Sequence, residues 1–245
     1  MQLTTNGYPL DTSPERFGEL ADSSGLLGDD DALRAALHDH GYLFFRGLLK
    51  PDLVLAARHE ILTKYAILGE IDDRHDIDEA IASDGHAVPY ANLRAFSESV
   101  RAGHHYRSVT DGDELLAVHE ALLGGPVRSF DFRWPRFVRP TEGCGFHCDG
   151  PYMNRGTSRI VSSWIPLGRV NREEGALVLL ENSHRSERLH HGYLTADADI
   201  DGLEWLDADP VVTQQKYGER WLTTDFEPGD VLCFGMHMLH GAIDN

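Results

Sequence analysis

The chain has little cysteine, no long apolar run and a shortage of positive charge, and each scarcity narrows what it can be. Cysteine occurs three times in 245 residues, at Cys144, Cys148 and Cys233. An odd number, with no second pair beside Cys144-x-x-x-Cys148, gives neither a disulfide framework nor zinc spacing, so the three read as reduced thiols in the core. No segment approaches the roughly 20 apolar residues that a membrane-spanning helix needs. Met1 to Ser13 lacks a basic start followed by an apolar run, so no secretory signal is read there and the cytoplasm is the expected compartment. Lysine and arginine number 22 against 40 acidic residues, a formal net charge of −18. Nucleic acid is therefore excluded as a partner, because phosphate contacts need a basic stripe and this field has the opposite sign. Repeats and low-complexity tracts are missing as well.

What is present suits one core. A hydrophobic content of 41% over this length fills a single domain. Its expected span is 1–245, with a helical part at about 1–125 packed on a β core at about 126–245. Asp29-Asp30-Asp31 ahead of Leu33, Ala36 and Leu37 predicts a helix start with favourable charge at its N-terminus. Pro51 to Leu68 carries apolar residues at helical spacing behind a proline suited to the first turn. Asp113 to Leu123 predicts another helix before Gly124-Gly125-Pro126. The strands come later. Phe130 to Val138, His147 to Asp149, Arg159 to Leu167, Gly175 to Leu180 and Val231 to Phe234 read as strands, the last entered through Pro228-Gly229-Asp230 and able to run on to His240. Two stretches, Glu70 to His105 and Glu187 to Gly218, lose all period and are expected as loops or lids over the site.

The chemistry sits in His147-Cys148-Asp149 and in Leu239-His240-Gly241. On a strand alternate side chains share a face, so His147 and Asp149 can reach one metal while Cys148 points away. With His240 they make two imidazoles and one carboxylate, which occupy one face of an octahedral ion and leave the rest open for a cosubstrate and dioxygen. In a chain with 14 histidines, about one His-x-Asp arises by chance, so the surrounding pattern has to carry the reading.

That pattern is HCDGPYM, then SSWIPLGRVNREEGALVLLENSH, then EPGDVLCFGMHMLHGAIDN, and it resembles the phytanoyl-CoA dioxygenase family of iron(II)/2-oxoglutarate oxygenases over the second half of the chain. A fainter likeness covers Leu33 to His40 and the following Gly41 to Gly47. The resemblance implies a mainly β fold with flanking helices, a double-stranded β-helix or cupin-like jelly roll. It implies iron(II) on His147, Asp149 and His240, with 2-oxoglutarate and dioxygen as cosubstrates and Trp164 near the 2-oxoglutarate. Ser162 shares strand parity with Trp164 and so lines the same pocket. Phe132, Trp134, Arg136 and Val138 share a parity too, which makes Arg136 a candidate contact for an anionic group.

The family's arginine, about a strand beyond the distal histidine, has no counterpart in the five residues after His240. The expectation is a further C-terminal strand that carries it. Asp149 occupies the position that halogenating relatives leave to a small residue, so halogenation is disfavoured. The reaction expected is oxidation of a small-molecule metabolite, by hydroxylation, cyclisation, desaturation or epimerisation, with release of succinate and carbon dioxide. Acidic lids point to a polar or cationic substrate. Two other readings stay open: a cupin-like metalloenzyme that does not use 2-oxoglutarate, and a non-catalytic small-molecule-binding barrel.

Overall fold

A computed structural model of the chain describes residues 2–83, 90–131, 133–138, 145–203 and 206–245. Its strands are β1 (Thr4–Thr5), β2 (Tyr8–Pro9), β3 (Phe17–Glu19), β4 (Tyr42–Phe45), β5 (Val161–Trp164), β6 (Leu177–Leu180), β7 (Trp221–Thr223), β8 (Val231–Gly235) and β9 (His240–Ala242). Two sheets face each other, one ordered β3-β7-β6-β9 and the other β4-β8-β5. Among the described strands every pairing is antiparallel except β3 with β7. This is the jelly-roll arrangement expected, with the sheets left open at their edges rather than closed into a barrel.

Register explains how the core is divided. Tyr42 stands opposite Phe234 and Ser162, and Phe44 opposite Leu232 and Trp164. Side chains alternate, so this row faces the second sheet, where it meets Leu179 and Leu222. The alternate row, with Leu43, Phe45, Val231 and Cys233, faces the other way and is covered by helices. β8 lies between β4 and β5 and is apolar on both faces, hence its run of consecutive buried residues.

The covering helices are α1 (Asp30–His40), α2 (Pro51–Ile67), α3 (Tyr90–Arg101), α4 (His104–Thr110) and α5 (Asp113–Leu123). Asp29 caps α1 by accepting the Ala32 N–H, Asp30 and Asp31 fill the first turn, and Gly41 closes the helix in the left-handed conformation. A side chain at Gly41 would also strike His184, so the sharp entry into β4 requires glycine there. Leu33, Val54 and Val118 bring α1, α2 and α5 onto the outer face of the β4-β8-β5 sheet. Among the described residues no helix is long and apolar enough to cross a membrane.

The structure departs from the sequence reading in five places. Residues 133–138 form no strand: Pro135 removes a donor, and Arg133 is held by Asp111 and Ser129 instead of by a ladder. Beyond His147 the chain leaves extended geometry, because Asp149 is already helical and starts the turn Gly150–Met153. Pro151 is the first-turn proline of that turn. β8 ends at Gly235, and His240 belongs to a new strand in the other sheet. The stretch 70–105 contains α3 and the start of α4, and these helices pack on α2 through Val100 and Tyr106 against Ile61. The stretch 187–218 holds short helices at Glu187–His190, Ala198–Asp201 and Pro210–Tyr217.

Candidate metal centre

His240 opens β9, where it stands opposite Leu179 of β6 and therefore faces the interior between the sheets. On its other side its backbone exchanges both hydrogen bonds with His147, each at 2.9 Å. This direct antiparallel pairing sets the two imidazoles side by side, with ring centroids 4.2 Å apart. Two residues on, the helical backbone of Asp149 folds its carboxylate back over them. Asp149 Oδ1 lies 3.8 Å from Nε2 of His147 and 3.8 Å from Nε2 of His240. One ligand atom from each of the three falls within 4.8 Å of the others. A turn, and not the alternation of a strand, aims Asp149.

The donor set fits a divalent ion. Ligands at about 2.1 Å on one face of an octahedron lie about 3 Å from one another, so the two 3.8 Å carboxylate-to-imidazole separations would close by about 1 Å around a metal and no separation by more than about 2 Å. Both imidazoles are already in the tautomer a metal needs. Nδ1 of His147 donates to Gly145 O at 3.0 Å and Nδ1 of His240 donates to Met238 O at 3.0 Å, which turns both Nε2 lone pairs inward. Burial, with the neighbouring His240 second, pushes His147 down to about 3, so its ring is neutral at physiological pH.

Ser162 reaches across from the opposite sheet and donates its hydroxyl to Asp149 Oδ2. Trp164, half-buried, packs on Phe226 at 4.7 Å along the same inner face. Arg136 is exposed, and its positive charge is felt at His147. Two neighbours were not anticipated: Phe234, 4.6 Å from the His240 ring, and Tyr152, edge-on to His147 at 5.9 Å. The period-two face of β8 could have given Phe234; Tyr152 needed the helical turn that Pro151 announces.

Other histidines stand apart from the three. His237 occupies the turn between β8 and β9 and packs on His190 at 4.9 Å. His184 lies half-buried beneath the end of α1. Cys148 and Cys233 are buried free thiols, as expected of reduced core residues. Phe132, Cys144 and Trp205 lie outside the described residues, as does the side chain of Tyr90.

A jelly-roll sheet pair with two histidines and an aspartate converging on its inner face defines a class, the metal-dependent oxygenases of this fold. The chain belongs to the phytanoyl-CoA dioxygenase (PhyH) family, whose model matches residues 37–245. It is similar to the 1-deoxypentalenic acid 11-beta-hydroxylase of Streptomyces arenae, 28% identical over 94% of this chain and 80% of that protein. Among solved structures it resembles the non-heme alpha ketoglutarate dependent carbocyclase SnoK from nogalamycin biosynthesis, with a TM-score of 0.58, 17% identity, and coverage of 92% of this chain and 81% of that one. The epimerase SnoN, in complex with Fe3+, alpha ketoglutarate and nogalamycin RO, aligns with a TM-score of 0.54 and 16% identity over 88% of this chain and 77% of its own. The chain is thus an enzyme, an iron(II)- and 2-oxoglutarate-dependent dioxygenase.

Proposed function

We propose that His147, Asp149 and His240 hold the iron and that the enzyme hydroxylates a small-molecule metabolite, with residues 1–245 acting as one oxygenase domain. The observation that carries the assignment is the single carboxylate oxygen, Asp149 Oδ1, set 3.8 Å from two inward-facing imidazole nitrogens. Two neutral imidazoles and one carboxylate leave the site a net positive charge, which favours a dianionic 2-oxoacid. With 2-oxoglutarate and dioxygen, the bound iron supplies an oxidant able to functionalise an unactivated C–H bond, releasing succinate and carbon dioxide.

The surrounding residues position rather than react. The backbone carbonyls of Gly145 and Met238 keep the imidazoles oriented, and Phe234 backs the His240 ring. Trp164 and Ser162 share the inner face on which the 2-oxoacid would lie, and Arg136 offers a cation to a carboxylate of the cosubstrate or the substrate. The similarity to a relative named as a hydroxylase supports hydroxylation as the outcome.

For the substrate, the acidic residues that suggested a cationic metabolite are in part already used. Asp197 and Asp199 pair with Arg155. Arg136, together with a relative named for an acid, supports a small carboxylate-bearing molecule over a cation.

The test is anaerobic addition of iron(II) and then 2-oxoglutarate, followed by the visible charge-transfer band of the chelated 2-oxoacid. The band should form in the wild type and be absent in His147→Ala and Asp149→Ala. Iron binding without a band in the wild type would return the chain to the metalloenzymes that do not use 2-oxoglutarate.

A further inference from the structure

We propose that Ser162 is a positioning residue that keeps Asp149 a one-oxygen ligand and thereby holds open the coordination position that 2-oxoglutarate and dioxygen together need; this rests on the metal assignment above. The two oxygens of Asp149 have different surroundings. Oδ1 faces both Nε2 atoms, whereas Oδ2 is turned to the opposite sheet and accepts the Ser162 hydroxyl. Among the described residues no other hydrogen bond to this carboxylate is present.

Ser162 can do this because of its register. It sits in β5 opposite Phe234, on the inner face, and Ser163 beside it points out toward His119 and Cys233. The pairing of Ser162 with Phe234 is what turns its hydroxyl inward rather than outward. Asp149 has no rigid strand of its own, since it stands at the start of a four-residue helical turn. The hydrogen bond across the gap between sheets is what fixes the rotation of its carboxylate.

The consequence follows from counting positions. Three protein atoms leave three positions on an octahedral ion, two for a chelating 2-oxoacid and one for dioxygen. A carboxylate free to rotate can bind through both oxygens and take a fourth position. Iron would still bind, but the cosubstrate and dioxygen could no longer both be accommodated. Ser162 therefore acts on the cosubstrate more than on the metal.

The experiment compares wild type, Ser162→Ala and Ser162→Thr, with matching circular dichroism as the check on folding. Iron(II) affinity is measured by anaerobic calorimetry, and 2-oxoglutarate affinity by the charge-transfer band. In Ser162→Ala, iron affinity should stay within about threefold of wild type, while 2-oxoglutarate affinity falls by about 10-fold or more, the size of one lost hydrogen bond to a charged group. Ser162→Thr, which keeps the hydroxyl, should restore 2-oxoglutarate binding to within a few-fold of wild type. Unchanged 2-oxoglutarate affinity in Ser162→Ala would overturn this role and leave the metal assignment standing. Equal losses in the alanine and threonine variants would overturn it too, since packing and not the hydroxyl would then be at fault. A wild type that binds iron but gives no band would remove the reading on which the proposal rests.

Discussion

Asp230 is 2% exposed and would be a costly residue to bury without partners. It has three: Arg46 Nη1 at 2.7 Å, the Gly47 N–H at 2.9 Å and the Glu227 N–H at 3.0 Å. These bonds tie the turn into β8 to the end of β4, two adjacent strands of the sheet that supplies Ser162. Asp230→Ala would remove the shared acceptor of these three part-buried bonds, with Arg46 keeping Asp225 O and Thr224 Oγ1, and should cost about 1–3 kcal/mol, read as a lower urea midpoint at unchanged slope. An unchanged midpoint would mean that water replaces the carboxylate at no cost. Pro228-Gly229-Asp230 was legible in the sequence as a turn, but its aspartate was read only as a turn former. The same limit applies at the metal centre. His147, Asp149 and His240 were legible because few residue types bind metals, and Ser162 was put in the pocket by strand parity. Its hydrogen bond to Asp149 was not legible, because the bond spans two sheets whose relative placement no local pattern encodes.

At the scale of elements, legibility followed length and period. Asp113–Leu123 and Pro51–Ile67 fold almost as read, since both show apolar spacing over three turns or more behind a clear start. The helical turns at Gly150–Met153, Glu187–His190 and Ala198–Asp201 are four residues each, too short for any period to register. β8 and β9 were merged because the residues between them, Met236 to Leu239, are mostly apolar and carry no strong turn former. These short turns matter for function. The turn that bears Asp149 is strapped to the 193–199 segment: Asn154 donates to Ala196 O, and Arg155 pairs with Asp197 and Asp199. Leu194 closes on Gly150, where an added Cβ would meet it at 2.9 Å. Arg155→Ala should loosen this strap while leaving the metal ligands intact. The expected result is faster proteolytic cleavage within 190–203 and a raised KM for the organic substrate, with iron(II) affinity unchanged. Loss of iron binding would show instead that the strap holds Asp149 itself.

Over the whole molecule, two effects compete as pH falls, and salt decides between them. The formal charge of −18 repels itself, and lowering pH toward the isoelectric point near 5.0 relieves that repulsion, which favours the folded state. Against this stand histidines that folding keeps neutral. Burial lowers His147, His184 and His237 below their ordinary value of 6.5, for His147 to about 3. In the unfolded chain the same rings take up protons near pH 6.5, so between the unfolded and folded values the unfolded state binds more protons and stability falls with pH. That contribution is fully present above about pH 6.5 and is progressively lost below it. The repulsion acts between exposed charges and is screened within about 8 Å at physiological ionic strength, whereas the histidine term is local and survives salt. In the metal-free protein at about 0.15 M salt, the urea midpoint should therefore drop from about pH 7.5 to about pH 5.5, and the drop should shrink at low ionic strength. His184→Gln should flatten the dependence, because it removes one ring that takes up its proton at lower pH in the folded state than in the unfolded one. A midpoint that rises toward pH 5.5 in physiological salt would mean that charge repulsion, and not buried imidazole, sets the acid limit of this fold.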